Sequence, residues 1–318
     1  MRTFLVTGGA GFIGSHIATA LVERGDQVRV LDNLSTGNLN NLAHISDSVE
    51  FIEGDLVDGE KIAQAVQGVD CIYHQAALAS VPRSVEAPLD TNAACVTGTV
   101  TLLDAARRAG VRRLVYAASS SLYGDKPTSS KRETDLPDPI SPYGAAKLAA
   151  EYYCRSFTAT YGFETVALRY FNVFGPRQDP DSPYSAVIPL FITAILENRQ
   201  PVIFGNGHQS RDFTYIANVV HGNLLAADAE GVAGRSFNVA AGRSVNLLEM
   251  LAMLNKYLGT QVEPEFAEAR AGDILESLAD ISAARAALQY EPQVGFEEGI
   301  SQSIDYYRSL KEKQTIDI

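Results

Sequence analysis

The sequence has little of what disulfide-stabilised and metal-binding proteins depend on. Its 318 residues include three cysteines, five histidines and no tryptophan. Cys71, Cys95 and Cys154 are an odd, widely spaced set without a CxxC pair, which argues against a disulfide framework and fits reduced thiols in a cytosolic core. The histidines lack the HxxxH spacing of a metal-binding helix, so we expect no metal site.

Positive charge and long apolar runs are also scarce. Lysine and arginine total 26 against 38 aspartate and glutamate residues, which gives a net charge of -12 and a pI near 4.9. This balance argues against a general binder of nucleic acid or anionic membranes, so any bound phosphate needs locally placed groups. No apolar run reaches the length of a membrane span, and the N-terminus starts with a strand pattern rather than a signal peptide, so we expect a cytoplasmic protein.

What the sequence does contain is an alternation of β-rich and helical segments from Thr3 to about Asn172. The β-rich runs are TFLVT, QVRVLD, VEFIEGD, CIYHQAA, RLVYAAS and TVALRYFN. Their alternation with helices predicts right-handed crossovers and an α/β fold with a doubly wound parallel sheet. We expect residues 1–172 to form this domain, with later segments near 212–242 returning to it. Residues 173–310 are expected to form mainly a smaller C-terminal α/β lobe, and residues 311–318 a frayed tail.

The first strand leads directly into a glycine-rich turn. Gly8, Gly11 and Gly14 recur every three residues, where glycine lets the backbone approach a pyrophosphate and the helix N-terminus receives its charge. The second strand ends at Asp32, 18 residues after Gly14, where a carboxylate can bind an adenosine ribose. Because that carboxylate repels a 2′-phosphate and is followed by Asn33 rather than arginine, the pattern predicts a Rossmann-type domain that binds NAD rather than NADP.

Two further candidates follow the third and fourth β-rich runs. Asp55, in EGDLVD, could meet the adenine amino group or, equally, cap the next helix. Gln75 is followed by Ala76 and Ala77, and such small residues suit a backbone that passes close to the cofactor.

A second motif places a phenol and an ammonium group on one helical face. Tyr143 and Lys147 stand four residues apart after Ser141-Pro142, which is a helix-start signature. A nearby cation stabilises a phenolate and lowers the tyrosine pKa from its usual value of about 10. The run Ser119–Ser121 follows a β-rich segment, where an open α/β sheet presents hydroxyls to a cofactor. Such spacing also occurs on solvated helix faces, but with the glycine turn it predicts hydride chemistry at an alcohol carbon.

These motifs occur in the order of a known family. GGAGFIGSH, Asp32, the GD at 54–55, HQAA, SSxxYG over residues 119–124 and YxxxK resemble the extended short-chain dehydrogenase/reductases, specifically their nucleotide-sugar epimerases, over nearly the whole chain. The resemblance implies a tightly held NAD, with Tyr143 as the acid/base. It implies that Lys147 lowers the Tyr143 pKa and holds the nicotinamide ribose, and that Ser119 hydrogen-bonds the reacting sugar oxygen.

The resemblance also implies two sets of binding residues. The cofactor set is Gly8, Gly11, Phe12, Ile13, Gly14, Asp32, Asn33, Ser35, Thr36, Gly37, Asp55, Leu56, Gln75, Tyr143, Lys147 and Tyr170. The set for a UDP-sugar substrate is Ser80, Ser119, Ser120, Ser121, Tyr143, Asn172, Gln178, Ala186, Val187, Val202, Phe204, Arg211, Arg270, Asp273 and Ser277. Arg211 and Arg270 suit a diphosphate because a guanidinium can fork onto phosphate oxygens, although on its own either could be an ordinary surface arginine.

The serine run narrows the reaction that the resemblance implies. Dehydratases of the superfamily carry Asp and Glu where this chain has Ser120 and Ser121, and decarboxylases of nucleotide-linked glucuronic acid carry Glu at the position of Ser121. Neither carboxylate is present. The implied outcome is oxidation and reduction of the same carbon, which is epimerisation.

The identity of the sugar stays open. Serine at 277, where the family has a gatekeeper residue, and likeness to bacterial UDP-N-acetylglucosamine 4-epimerases favour UDP-GlcNAc and UDP-GalNAc, with UDP-Glc and UDP-Gal as slower or coequal substrates. Ser277 could equally just pack beside a strand. A UDP-glucuronic acid (or UDP-GlcNAcA) 4-epimerase is an alternative because Ser120 and Ser121 could hold a carboxylate, although such relatives usually have threonine at the position of Asn172.

Two further expectations concern activity and assembly. A non-catalytic NAD-binding regulatory protein is the alternative from another class, and the intact Tyr143 and Lys147 argue against it. In the family, the helices equivalent to 96–108 and 142–161 form a four-helix bundle across a two-fold axis, which implies a homodimer. The apolar positions of these segments equally suit packing on the protein's own sheet.

Overall fold

The computed structural model describes residues 1–125, 130–180, 186–268 and 275–316. Its strands, numbered along the chain, are β1 Thr3–Thr7, β2 Gln27–Asp32, β3 Val49–Glu53, β4 Cys71–His74, β5 Arg113–Ser119, β6 Glu164–Tyr170, β7 Val173–Phe174, β8 Val202–Phe204, β9 Ser210–Asp212, β10 Thr214–Tyr215, β11 Arg235–Val239, β12 Ser244–Asn246, β13 Glu265–Ala267 and β14 Glu276–Ser277. Its α-helices are α1 Phe12–Glu23, α2 Gly59–Ala65, α3 Val81–Glu86, α4 Pro88–Asn92, α5 Gly98–Arg108, α6 Pro142–Tyr161, α7 Val187–Leu196, α8 Ile216–Asp228, α9 Leu247–Leu258, α10 Ser282–Leu288 and α11 Phe296–Ile316.

The central sheet has seven parallel strands in the order β3-β2-β1-β4-β5-β6-β11. All six β-rich runs from the sequence are in it, and the predicted doubly wound α/β fold is confirmed. The seventh strand, β11, comes from the C-terminal part of the chain and pairs with β6. The strand order reverses between β1 and β4, and in such sheets ligands bind in the crevice beyond the carboxyl ends of the strands at that point.

Alternate residues of each strand supply two hydrophobic cores, one on each face of the sheet. Phe4 and Tyr73 lie in the larger core, whereas Leu5 and Ile72, their neighbours in the chain, lie in the smaller one. This is the pattern of a parallel sheet covered on both faces, because successive side chains of a strand point to opposite faces. The larger core is continuous with side chains of the C-terminal part such as Ile300, so the two parts of the chain pack together.

Helix α6 carries the predicted tyrosine and lysine, and it begins where the sequence predicts. The Ser141 hydroxyl accepts a hydrogen bond from the Gly144 amide at 3.1 Å, and Pro142 occupies the first turn. The helix ends at Gly162, whose φ of 70° is left-handed. Lys147, Ala150 and Cys154 lie on its buried face, so this face packs onto the sheet.

Helix α11 continues to Ile316, and the Lys311 ammonium donates to the carbonyl oxygen of Leu196 at the end of α7. The domain bounds expected from the sequence, including the frayed tail, stay predictions. Among the described residues, no helix is both long enough and apolar enough to cross a membrane.

Candidate active site

A cleft of about 660 Å³ opens at the carboxyl ends of β1 to β4. Twelve of the predicted cofactor residues line it: Gly8, Gly11, Phe12, Ile13, Gly14, Asp32, Asn33, Ser35, Thr36, Asp55, Leu56 and Gln75. They come from four separate segments that follow neighbouring strands. The sheet order therefore brings them together at the switch point between β1 and β4.

The glycine turn leaves no room for side chains at two positions. Gly8 has a φ of +66°, and a Cβ placed on it would lie 2.6 Å from the Ala76 amide nitrogen. A Cβ on Gly14 would collide with the carbonyl oxygen of Gly8. The turn packs against the backbone that follows β4 and leads into the N-terminus of α1, so its amide groups line the cleft. This cradle fits the pyrophosphate of a dinucleotide.

Asp32, at the end of β2, stabilises the conformation of the glycine turn. Its carboxylate accepts hydrogen bonds from the Ala10 amide at 2.9 Å and the Leu34 amide at 2.8 Å. Burial raises the pKa of this carboxyl, and the two amides oppose the shift. Since an ionised carboxylate has about four acceptor sites, two remain for ribose hydroxyls. The predicted Gly37 packs against this carboxylate, with room for no side chain, rather than lining the cleft.

Asp55 lies on the cleft wall, and it does not cap the following helix. Its carboxylate accepts hydrogen bonds from the Asn33 side-chain amide at 2.6 Å and from the Val57 amide at 3.1 Å. The cap of α2 is Asp58, which accepts hydrogen bonds from the amides of Glu60 and Lys61. The alternative interpretation of Asp55 as a helix cap is therefore wrong.

Tyr170, a predicted cofactor residue, lies behind the cleft rather than on its wall. It is buried, and its hydroxyl makes hydrogen bonds to Gln75 Oε1 at 3.1 Å and to the Asn223 side chain. Burial raises its pKa. The contact orients Gln75, which does line the cleft.

A second cavity, of about 550 Å³, lies beyond β6 and between α7, β8 and β9. The predicted substrate residues that line it are Asn172, Ala186, Val187, Val202, Phe204 and Arg211. Most of the wall is apolar, and the half-buried Arg211 brings positive charge to it. An apolar cavity with a few polar groups is typical of a small-molecule site.

Ser119, Tyr143 and Lys147 lie near one another at the carboxyl end of β5, and none of the three is among the described residues that line either cavity. Ser119 ends β5, which lies between β4 and β6 in the sheet. The residues after β4 line the cofactor cleft and those after β6 line the second cavity, so the end of β5 lies between the strands that lead into the two cavities. A side-chain hydrogen bond joins Ser119 to Tyr143. The Lys147 ammonium lies 5.9 Å from the centroid of the Tyr143 ring.

The pKa of Tyr143 departs from the expected direction. Burial raises this pKa above the ordinary tyrosine value, and the hydrogen bond with Ser119 only partly opposes the shift. Burial also lowers the pKa of Lys147, whose ammonium donates to the carbonyl oxygen of Ala117 at 3.0 Å. The pKa of Tyr143 is raised by burial first and by the nearby Cys95 second, and only the hydrogen bond with Ser119 opposes these effects, so the expected lowering of this pKa by Lys147 stays a prediction.

The serine run is built around Ser119. The Ser121 hydroxyl donates to Ser119 Oγ at 2.9 Å, and the Ser121 amide does so at 3.2 Å. Ser120 and Ser121 are both half-buried at the start of a short 3₁₀ turn, Ser120–Tyr123. Two hydroxyls, rather than two carboxylates, thus stand beside the candidate base.

Other predicted substrate residues lie away from the second cavity. Ser80 lines the cofactor cleft and caps α3, accepting the Arg83 amide at 3.1 Å. Gln178 donates to the Val173 carbonyl at 3.2 Å, and its buried Oε1 has no partner among the described residues. Ser277 is 8% exposed and pairs with Arg211 in the β9–β14 ladder. Arg270 and Asp273 lie outside the described residues.

The structure also brings in residues that the sequence did not single out. Arg83 and Asp179 line the cofactor cleft, and Arg83 is the only lysine or arginine among the described residues that do so. Arg199, Gln200 and Gln209 line the second cavity. Arg83 had one usable signal, because it follows Ser80 by three residues at the start of a helix and shares its face. The others lie in loops or short strands, where no periodicity predicts a direction.

Metal chemistry has no evident site in the described ranges. Within residues 1–125, 130–180, 186–268 and 275–316, no group of three or more His, Cys, Asp or Glu side chains is placed to hold a metal ion.

The sheet order and the glycine-lined cleft are those of a dinucleotide-dependent enzyme of the doubly wound α/β class. The chain belongs to the NAD dependent epimerase/dehydratase family, whose model matches residues 4–240. The resemblance to extended short-chain dehydrogenase/reductases is thereby confirmed, as is the dependence on NAD.

Three similar proteins illustrate the range of the family. The chain is 38% identical to a UDP-glucose 4-epimerase of Mycolicibacterium smegmatis, over 97% of this chain and 99% of that one. It is 38% identical to the structure of a UDP-N-acetylglucosamine 4-epimerase from Methanobrevibacter ruminantium in complex with UDP-N-acetylmuramic acid, with a TM-score of 0.93 and coverage of 97% and 99%. It is 31% identical to a mutant UDP-glucuronic acid 4-epimerase from Bacillus cereus in complex with NAD and UDP-4-deoxy-4-fluoro-glucuronic acid, with a TM-score of 0.91 and coverage of 97% and 100%.

Proposed function

We propose that this protein is a UDP-hexose 4-epimerase that interconverts UDP-GlcNAc and UDP-GalNAc and also accepts UDP-Glc and UDP-Gal. The observation that carries the proposal is the Ser119, Tyr143 and Lys147 cluster at the carboxyl end of β5, because β5 lies between β4, which leads into the cofactor cleft, and β6, which leads into the second cavity. A base in that place can serve an alcohol carbon held between a nucleotide site and a nicotinamide ring.

In the proposed reaction each of these residues has a separate role. Tyr143, as phenolate, accepts the proton of the sugar 4-hydroxyl, and Ser119 hydrogen-bonds the same oxygen. The cleft that starts at Gly8 would hold NAD, which would supply a reversible hydride acceptor for C4. Between the two half-reactions the 4-keto sugar turns about its diphosphate link, which Arg211 holds. Tyr143 then gives its proton back to the inverted alcohol, with no net oxidation.

The raised Tyr143 pKa bears on this scheme. Since burial disfavours the phenolate, added positive charge near the ring is needed to form it. Lys147 supplies one charge at 5.9 Å from the ring centroid. A bound NAD⁺ would bring further positive charge to the site and would thereby favour the phenolate.

The choice of an epimerase over a dehydratase depends on Ser120 and Ser121. The family includes both activities, and elimination of water needs an acid and a base beyond Tyr143. The side chains beside Ser119 are half-buried hydroxyls, which cannot take those roles at neutral pH. This favours return of the hydride to the same carbon.

The preference for N-acetylated sugars is supported by small side chains. Ser277 has a small side chain and pairs in the β9–β14 ladder with Arg211, which lines the second cavity. Ser277 does not itself line that cavity, and the proposal is that its small size beside Arg211 suits a substrate with an acetamido group. The similar structure described as a UDP-N-acetylglucosamine 4-epimerase supports the same choice.

A second candidate is UDP-glucuronic acid 4-epimerase. The Bacillus cereus neighbour acts on that class of substrate, and the hydroxyls of Ser120 and Ser121 can donate to a carboxylate. Asn172, which lines the substrate cavity, stands where relatives that act on glucuronic acid usually have threonine, and this favours the neutral sugars.

A substrate panel decides between the candidates. Purified protein is given UDP-GlcNAc, UDP-Glc or UDP-GlcA separately, and the anomeric proton of each product is followed by NMR. We expect conversion of UDP-GlcNAc and of UDP-Glc, and none in the matched Tyr143→Phe variant. Conversion of UDP-GlcA alone would refute the assignment and establish the second candidate.

We also propose that the protein is a homodimer formed through α5 and α6. Helix α6 exposes Tyr152 and Tyr153, and α4, which packs against α6, exposes Leu89 at 82% of its surface. Large apolar side chains grouped on one surface are typical of a subunit interface.

A further inference from the structure

The segment of residues 175–179, here called the strap, connects the two cavities. Asp179 lines the cofactor cleft, whereas Asn172 before the strap and Pro180 after it line the substrate cavity. A shift of the strap therefore changes the walls of both cavities at once.

The strap has an unusual backbone. Arg177 has a φ of 66° and Gly175 a φ of 152°. An arginine in the left-handed region is strained, and such a conformation persists only where surrounding contacts enforce it. A glycine at position 177 would adopt this backbone without strain. The contacts of the arginine side chain must therefore stabilise the fold by more than the backbone strain destabilises it.

The side chain of Arg177 is anchored to the cofactor-binding part of the protein. Its guanidinium is half-buried and donates to Thr19 Oγ1 at 3.0 Å and to His44 Nε2 at 3.1 Å. Thr19 belongs to α1, whose first residues line the cofactor cleft. The Pro176 carbonyl also contacts His16 of the same helix at 2.9 Å.

The strap is held on its other side by α11. The hydroxyl of Tyr307, which is buried, donates to the Gln178 carbonyl at 2.6 Å. The strap is thus held between α1 and α11, and Arg177 is the strap residue whose own side chain binds α1, beside the contact of His16 with the Pro176 carbonyl.

We propose that Arg177 is a positioning residue that holds the strap along the cofactor cleft and thereby slows the release of NAD. The inference rests on the proposed function, because an epimerase with no net oxidation must retain its reduced cofactor while the 4-keto sugar rotates in the site. Arg177 touches neither the reacting carbon nor the base, so it acts through the strap and through the cleft wall at Asp179.

The test measures NAD release from the holoenzyme in the absence of sugar. The holoenzyme is dialysed for set times and then denatured, and the NAD that was still bound is quantified by its absorbance. Arg177→Ala and Arg177→Gly are both expected to release NAD about tenfold faster than wild type, since each loses hydrogen bonds of a charged group. Arg177→Lys keeps one contact at a time and should fall between them and wild type. Arg285→Ala, which removes an arginine from an exposed pair with Glu291, is the matched control and should release NAD as wild type does.

Three results would overturn the proposal. Wild-type release from both Arg177→Ala and Arg177→Gly would exclude the side-chain anchor. Wild-type release from Arg177→Gly with fast release from Arg177→Ala would assign the effect to backbone strain alone. If the Arg177 variants do not fold, Thr19→Val removes the partner on α1 instead, and unchanged release from that variant would contradict the proposal. Because no sugar is present, these outcomes are independent of whether the protein epimerises any of the sugars in the panel.

Discussion

Tyr143 occupies a position in which its own surroundings oppose its ionisation. Burial raises its pKa, and the compensation from Ser119 is partial. Lys147 is itself desolvated, and its ammonium is directed to the Ala117 carbonyl. Positive charge brought next to the ring would lower the Tyr143 pKa and favour the phenolate that the proposed mechanism needs.

Replacing Tyr143 by Phe tests the role of this hydroxyl. The change removes the acid/base and one hydrogen bond but no other contact, so kcat should fall by about a thousandfold, within the range typical of general acid-base groups. The NAD content should not change. Tyr152→Phe, on the exposed side of the same helix, is the control. Undiminished turnover by Tyr143→Phe would refute the assigned role.

The activity should depend on pH with a defined sign. The deprotonated form of Tyr143 is the active base, so kcat/KM should rise with pH as this group ionises. Since burial raises its pKa, anything that removes positive charge nearby should move the rising limb to higher pH. Lys147→Met removes such a charge, and its residual activity should show that alkaline shift. A profile that falls with pH, or one that Lys147→Met leaves in place, would contradict this interpretation.

At the residue scale, the sequence predicted the parts that depend on local spacing. The glycine turn, Asp32 and the Tyr143–Lys147 pair each have a spacing with a physical reason. The structure places the glycine turn and Asp32 in the cofactor cleft, and it places Tyr143 and Lys147 close to each other near the end of β5. Arg83 had a local signal in its spacing from Ser80, whereas Asp179 reaches the cleft from a loop far along the chain. The net direction of the Tyr143 pKa was also missed, because desolvation depends on packing that the spacing does not contain.

At the scale of elements, the position of α6 on the sheet depends on a buried ion pair. Glu151 lies two turns after Tyr143, and Arg169 of β6 binds its carboxylate in bidentate fashion, at 3.0 Å and 2.6 Å. Both side chains are at most 5% exposed. Arg169 also donates to the Tyr123 hydroxyl at 2.7 Å. The pair fixes the helix that carries Tyr143 and Lys147 against the strand beside β5.

Replacing Glu151 by Ala should leave the Arg169 guanidinium buried without its partner. We expect the free energy of unfolding to fall by about 3–5 kcal/mol, the usual cost of breaking a buried pair. Glu291→Ala, which breaks the exposed pair with Arg285, should cost less than about 1 kcal/mol. Urea denaturation of both variants gives the comparison, and equal losses would show that the buried pair has no special role.

The sequence predicted most helices and strands, but it did not predict which residues far apart in the chain contact each other. Strand and helix periodicity, together with the cap at Ser141, predicted the β-rich runs and the start of α6. The spacing of Glu151 and Arg169 did not identify them as an ion pair. One lies on helix α6 and the other on strand β6, so they meet only when the helix packs on the sheet. The hydrogen bond between Lys311 of α11 and the Leu196 carbonyl was not predictable for the same reason, since the two residues are 115 positions apart.

At the scale of the whole molecule, one hydrophobic core joins the sheet to the C-terminal helices. The cofactor cleft belongs to the sheet, and the substrate cavity lies between β6 and the C-terminal elements. The end of β5 lies between the strands that lead into them only in the assembled fold. The sequence predicted the class of fold and of ligand, but the sugar depends on cavity shape, which no motif encodes.

The proposed dimer can be tested by changing its exposed apolar surface. Tyr153→Glu puts a charge into the proposed α5–α6 interface, where burial without a partner is costly. Light scattering after size exclusion should give a dimer for wild type and a monomer for this variant. Tyr257→Glu, at an exposed position on α9, should leave the dimer intact. A wild-type monomer at micromolar concentration would exclude the proposed assembly.

The central claim is that one hydrogen leaves C4 of the sugar and returns to the same carbon on its other face. The direct measurement is proton NMR of UDP-GlcNAc incubated with the purified protein in D₂O. The account predicts UDP-GalNAc that keeps protium at C4, and the same final mixture when the reaction starts from UDP-GalNAc. Deuterium at C4 of the product, or no UDP-GalNAc at all, would contradict it.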